Sequence, residues 1–109
     1  MRTALREGEK ITREGVANLH RNIETVGGHL YLTSQRLVFE AHRFNLQRGA
    51  TVVELGDVGS LEPSWTKFLG VFPVFPNSLS VHTKQGQEHR YVLFDRRAWA
   101  HAIGVAVAA

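Results

Sequence analysis

Six histidines are the first side chains in this sequence that could hold a metal. Their spacing argues against it. No His-x-x-x-His pair exists to place two imidazoles on one helical face. His82 and His89 belong to neighbouring strands, but across the Lys84-Gln85-Gly86 turn their positions differ in parity and their side chains face opposite ways. His29 and His42 fall at far ends of a hairpin. Cysteine is absent, which removes thiolate ligands, cysteine nucleophiles and disulfides together. There is no Gly-x-Ser-x-Gly elbow, no phosphate-cradling glycine loop and no paired carboxylates. Asp57 and Asp95 read as a turn residue and a helix cap. The residues thus predict no catalytic set, no metal and no cofactor, and a binding protein rather than an enzyme.

Cations give the first binding chemistry. The chain of 109 residues carries a formal net charge of +3, which favours anionic partners. His20, Arg21, His42, Arg43, Arg48 and Lys84 fall in the connections after the first, third and sixth expected strands. If those connections meet at one end of the fold, His20, Arg21, Arg43, Arg48 and Lys84 form a candidate site for an anionic phospholipid head group, held by charge-assisted hydrogen bonds. The bland alternative is a scatter of solvated surface charge. Nucleic acid fits less well, because basic and aromatic residues are not interleaved as a strand-binding groove needs.

Apolar side chains give the second. Lys67-Phe68-Leu69-Gly70-Val71-Phe72-Pro73-Val74-Phe75-Pro76 reads as a connection, yet it holds three phenylalanines and two prolines. Lys67, Phe68, Phe72 and Phe75 form a candidate interface for a protein partner or a second copy. Folding back onto the core and insertion into a membrane beside Lys67 are the other uses of such a segment.

Short strands and one helix must position these residues. The first strand is expected over Glu9 to Leu19, with Gly15 as a bulge. A polar connection follows from His20 to Gly28, closed by a Gly27-Gly28 turn. His29 to Leu32 and Arg36 to Glu40 form a hairpin around Thr33-Ser34-Gln35. Pairing Leu32 with Leu37 sets Leu30 opposite Phe39 on one face and Tyr31 opposite Val38 on the other. After a basic connection, His42 to Gly49, strands are expected over Thr51 to Leu55 and Val58 to Trp65, separated by a Gly56-Asp57 turn. Leu79 to Thr83 and Glu88 to Phe94 make a second hairpin, with Gly86 in the left-handed position of its turn. That register gathers Leu79, Val81, Tyr91 and Leu93 on one face. The last element is a helix capped by Asp95, whose apolar stripe is Trp99, Ala102, Ile103 and Ala106. Arg96 and Arg97 fall in its first turn, where the helix dipole disfavours cations.

Seven antiparallel strands and a terminal amphipathic helix predict one mainly β domain over residues 1–109, with its core at about 7–107: a barrel or orthogonal sandwich plugged by the helix. The composition is globular, 43% hydrophobic and 21% charged. No signal peptide and no apolar run of membrane-spanning length is seen, so a cytoplasmic protein, peripheral at most to a membrane, is expected. Arginine and alanine in abundance hint at a GC-rich bacterial source.

The run Gly27-Gly28-His29-Leu30-Tyr31-Leu32-Thr33-Ser34-Gln35-Arg36-Leu37-Val38-Phe39 resembles the signature hairpin of GRAM domains. Phe75 to Gly86 resembles the family's later proline-asparagine strand and Lys-x-Gly turn. Phe94, Arg96, Arg97 and Trp99 fit the start of its terminal helix. The resemblance spans roughly Glu7 to Gly104. It implies a pleckstrin-homology-like fold and a noncatalytic role in binding membrane lipids, phosphoinositides in some members, or proteins.

Overall fold

A computed structural model describes residues 1–21, 24–43, 49–68 and 72–109, with positions 21, 24, 64–68 and 72–77 described by their backbone. The strands are β1 (Ile11–Arg21), β2 (Glu24–Thr33), β3 (Arg36–Ala41), β4 (Thr51–Glu54), β5 (Val58–Phe68), β6 (Phe72–Thr83) and β7 (Glu88–Leu93). A single 3-10 turn, Leu55–Asp57, joins β4 to β5, and the helix α1 spans Arg96–Ala108.

All seven strands form one antiparallel sheet in the order β4-β3-β2-β1-β7-β6-β5. The two outermost strands are consecutive in sequence, with only Leu55–Asp57 between them. Three residues span at most about 10 Å, so the sheet must roll until its edges meet. The corner is pinned on both sides. Leu55 N–H donates to Gln35 O at 3.1 Å, and Lys84 N–H donates to Asp57 O at 2.8 Å.

Both expected hairpin registers are present: Leu32 with Leu37, Leu30 with Phe39, Val81 with His89 and Leu79 with Tyr91. Gly86 has φ 89° and Thr83 N–H closes the turn on Gln87 O at 2.8 Å. The inward positions Leu19, Leu30, Leu32, Leu37, Phe39, Leu79, Val81 and Tyr91 are buried, and α1 adds Trp99 and Ile103. Asp95 caps α1 by accepting from Ala98 N–H at 3.4 Å. Trp99 is the plug. One ring edge lies against Gly15, where an added Cβ would stand 3.7 Å from Cζ2. The guanidinium of Arg13 covers the ring 5.1 Å from its centroid.

The ladders correct four expectations. The polar connection from His20 to Gly28 is mostly strand, since β1 runs to Arg21 and β2 begins at Glu24. Gly27 and Gly28 are therefore not a turn. Gly28 is required by close approach, because a Cβ there would lie 2.3 Å from Glu40 O and 2.7 Å from Phe39 Cζ. The bulge of β1 falls between Ile11 and Arg13, while Gly15 pairs regularly with Leu30. Leu55 leaves β4 for the corner turn. Finally, the connection Lys67 to Pro76 is largely an extension of the β5–β6 hairpin, with Thr66 opposite Phe75, Lys67 opposite Pro73 and Phe68 opposite Phe72. Pro73 and Pro76 do not prevent this, because β6 upstream of Ser78 has no ladder neighbour but β5 among the described residues. A missing N–H is tolerated on such an open side.

Residues 1–10 precede the sheet as a strap held by side chains. Glu9 is buried and fully satisfied. Its Oε1 accepts from Arg6 N–H at 2.8 Å and Arg36 Nη2 at 3.0 Å; its Oε2 accepts from Thr33 Oγ1 at 2.6 Å and Arg36 Nε at 2.8 Å. Arg36 Nη2 also donates to Ala4 O at 2.9 Å. Thr33 Oγ1 accepts in turn from the Gln35 and Arg36 N–H groups, each at 3.0 Å. Farther out, Glu40 accepts from Arg2 N–H, Thr3 N–H and Thr3 Oγ1 at 3.1, 2.7 and 2.7 Å.

Two stability tests follow from these contacts. Gly28→Ala forces a Cβ against backbone and lowers stability by about 1–3 kcal/mol. Gly104→Ala, in the helix with nothing within 4 Å of an added Cβ, raises it by about 0.5–1 kcal/mol. Urea midpoints that move together in one direction contradict this reading. Hydrogen bonding from Arg36 holds the Glu9 carboxyl at about 2, below its ordinary 4.5. A depressed carboxyl stabilises above its unfolded value, and that contribution is lost as pH falls from about 4.5 through about 2. It amounts to on the order of 3 kcal/mol. Glu9→Gln lowers neutral-pH stability by a similar amount and flattens the acid limb of the stability–pH curve; an unchanged acid limb counts against the ion pair.

Candidate functional site

The ladder sets which loops share an end. β1 ends at Arg21, β3 ends at Ala41, and β7, antiparallel to β1, begins just beyond the His20–Arg90 pair. Gly28 pairs with Ala41, so the β1–β2 and β3–β4 connections leave the same end of β2, while the β6–β7 turn is held at the corner by Lys84 N–H on Asp57 O. Of the five expected anion-site residues, His20 is half-buried on β1, and Arg43 and Lys84 are exposed. The side chain of Arg21 and the whole of Arg48 lie outside the described residues. Lys84 belongs to the turn pinned on Asp57, with Gln85 Nε2 reaching Asp57 Oδ1 at 3.3 Å.

Two rows of side chains cross the outer face of the sheet near that end. In one, Glu62 of β5, Ser80 of β6, Arg90 of β7, His20 of β1 and Thr25 of β2 are successive ladder partners. In the next, Val92, Asn18 and Gly27 follow one another, and His42 N–H donates to Gly27 O at 3.0 Å. Gly27 is the floor of a shallow saddle. A Cβ placed on it would lie 3.2 Å from both Asn18 Oδ1 and His42 Cδ2, so those two exposed side chains lean over the glycine from either side.

Charge in this patch is mostly positive. Burial, and secondarily the charge of Arg90, lower the pKa of His20 from its ordinary 6.5. Arg90 contacts Ser80 Oγ at 3.4 Å and pairs with Glu88 at 3.4 Å. Glu88 is held below its ordinary value first by its hydrogen bond from Ser80. His82 lies opposite Glu88 and His89 opposite Val81, hence on opposite faces. Among the described residues no group of three His, Asp or Glu side chains is placed to bind a metal.

Asn18, Thr25 and Arg90 were not among the residues the sequence singled out, and Gly27 was read only as part of a turn. The signal was present: Val26, Gly28, Leu30 and Leu32 continue one inward alternation, which carries β2 back past the glycine pair and sets Gly27 beside Asn18.

The second candidate, Lys67, Phe68, Phe72 and Phe75, sits on the far part of the β5–β6 hairpin, with the side chains themselves outside the described residues. β7 pairs with β6 only from Ser78 to His82. Among the described residues, the stretch from Phe72 to Asn77 is thus paired with β5 alone. Phe68 and Phe72 form its last described pair.

The model of the GRAM domain matches residues 1–107. The chain belongs to the GRAM domain family. None of the curated proteins matches it. Among solved structures, the Vps36 N-terminal PH domain is similar at 22% identity and TM-score 0.73, over 96% of this chain and 83% of that one. The C-terminal domain of a Leishmania infantum protein gives 16% and 0.73, over 94% and 88%. The DH/PH fragment of PDZRHOGEF, solved with human RhoA, gives 17% and 0.68, over 92% of this chain and 29% of that one. The GRAM chain thus has the pleckstrin-homology-like fold, in which seven antiparallel strands are closed by a C-terminal helix. No helix among the described residues of this GRAM domain is long and apolar enough to cross a membrane.

The environment of His20 is testable on its own. Its imidazole titrates below 6.5, and Arg90→Met raises the midpoint only part of the way, because burial is the larger cause. Ring chemical shifts followed against pH read this directly; a midpoint indifferent to Arg90→Met places the two side chains apart.

Proposed function

We propose that this GRAM domain is a noncatalytic interaction module whose main use is protein contact, self-association included, through the far end of the β5–β6 ribbon. The observation that carries the reading is that, among the described residues, β6 from Phe72 to Asn77 has no ladder partner but β5, in the stretch that bears Phe68, Phe72 and Phe75. A two-stranded ribbon gains little stability by itself in water. Apolar side chains at its end gain most by meeting another surface. The PDZRHOGEF fragment with human RhoA supports this by analogy, since there a protein containing this fold is part of a protein–protein assembly. The domain is read as cytoplasmic, touching membranes only peripherally.

A second reading is supported by Arg43 and Lys84, which are exposed on the β3–β4 and β6–β7 connections. It makes this side of the domain a receptor for anionic head groups, with His20, Arg21, Arg43, Arg48 and Lys84 as its cations.

Light scattering during gel filtration tests the main reading. Wild type should exceed the mass of a 12.2 kDa monomer, and Phe72→Asp should return it to monomer with the circular dichroism spectrum unchanged. A monomer in both removes self-association through the ribbon.

A further inference from the structure

We propose that the outer face of β2, β3 and β4 is a docking groove for an extended peptide of a protein partner, and that residues 1–6 of this chain occupy it as an internal stand-in which the partner displaces. The surface is separate from the β5–β6 ribbon, so either can fail without the other.

The burial of β3 defines the groove. Leu37 and Phe39 belong to the core, whereas Val38 is fully buried without joining it. Alternation puts Arg36, Val38 and Glu40 on the outer face. Tyr31 of β2 and Val52 of β4 flank Val38 as its ladder partners, and the three make an apolar floor. Glu40 closes one end of it; Arg36 and its ladder partner Glu54 close the other. The strap touches both ends, Thr3 at Glu40 and Ala4 at Arg36, and so passes over the floor between them.

The grip on the strap is that of a peptide receptor. Main-chain groups carry much of it. Glu40 accepts from the N–H groups of Arg2 and Thr3, and Arg36 Nη2 donates to Ala4 O. Two side chains add selectivity. Thr3 Oγ1 donates to Glu40 at 2.7 Å, and Arg6 donates to both Glu54 oxygens at 2.7 and 2.6 Å. The groove therefore fits an extended segment with a hydroxyl residue followed three positions later by an arginine.

The stand-in is held loosely. Arg2, Ala4, Leu5 and Arg6 are exposed, Leu5 to 51%, so the strap itself buries little apolar area. The Arg6–Glu54 pair is open to solvent on both sides and contributes little. Behind the strap, Gly8 at φ 75° turns the chain into the Glu9 anchor. Residues 1–6 can thus swing away while Glu9 keeps its bonds to Arg36 and Thr33. Release uncovers Val38 and the Glu40 carboxylate, the surface that the partner covers again.

A labelled peptide of residues 1–7, followed by fluorescence anisotropy, tests this on the full chain. In the wild type the tethered strap competes at an effective concentration on the order of millimolar, and the added peptide binds poorly. The double variant Thr3→Pro with Arg6→Ala removes the strap's Thr3 N–H, hydroxyl and guanidinium contacts and leaves the groove intact. It binds the peptide at least about tenfold more tightly than the wild type. Adding Glu40→Gln, whose amide nitrogen cannot accept a hydrogen bond, removes the gain. Equal binding by wild type and double variant, no binding by either, or a gain indifferent to Glu40→Gln overturns the groove. Native-state hydrogen exchange on the wild type decides the matter where the double variant does not fold. The Thr3 amide is expected to exchange by local opening, at least about a hundredfold faster than the Leu30 amide in the sheet. Exchange of Thr3 at the Leu30 rate makes the strap inseparable from the fold and overturns the proposal.

Discussion

The buried pairing of Glu9 with Arg36 is the constraint on which the rest of this domain hangs. Two charges removed from water are stable only if every donor and acceptor is matched. Here the carboxylate receives four donors, two from Arg36, one from Thr33 and one from the Arg6 backbone. The match demands that the strap, the end of β2 and the start of β3 take one relative position. Thr33 closes the arrangement by spending its single proton on Glu9 and its lone pairs on the turn that begins β3. A slip of one residue in the β2–β3 register would turn Arg36 to the opposite, core-facing side and strand Glu9 without its counter-charge. The pair therefore adds register as much as energy. It also gives the Thr33 and Arg36 of the signature hairpin a physical reason to be there.

The register fixed at that hairpin passes through the sheet to the corner. Arg36 pairs with Glu54, and Leu55 N–H then reaches Gln35 O. β4 must end there and the chain must turn into β5. Rolling the sheet leaves an interior that Phe39, Tyr91 and Trp99 fill, with the Phe39 and Tyr91 rings 6.4 Å apart. The edge of β5 is interrupted. Pro63 stands in the middle of that strand, and its pairing with β6 shifts at three places. Proline and bulges are the usual guards against strand-to-strand association.

Most of the fold was legible because two local signals reinforced each other. Gly86 at a positive φ and the Leu79–Tyr91 alternation both demanded one register, and so did the Leu30–Phe39 pairing around Thr33-Ser34-Gln35. The misreadings came where a single signal had two physical meanings. A glycine pair marks either a turn or a close approach, and only the long-range contact of Gly28 with Glu40 decides between them. Prolines in an apolar stretch mark either a loop or an open strand side, and only the short extent of β7 decides that at Pro73 and Pro76. Strap residues were illegible for the same reason. Nothing local to Glu9 foretells that its partner lies 27 positions later. Of the cations expected in connections, Arg43 and Lys84 do lie outside the strands, whereas His20 is on β1. The saddle at Gly27 was missed because it is defined by what is absent from one strand and leans in from two others.

The ribbon end and the cations around His20 are far apart in the same rigid frame. Ser80 lies in the ladder row that contains His20 and Arg90, and Phe72 begins the same strand eight residues earlier. At about 3.3 Å per residue that is roughly 25 Å, less what the bulges remove. Partners on the two would share no side chain, so their binding energies would add to a first approximation. The strand between them is anchored through Leu79 and Val81, both fully buried. A load on the ribbon is thus transmitted to the packed core rather than to the loop end. The Leu79–Tyr91 and Val81–His89 pairings hold that strand in one register.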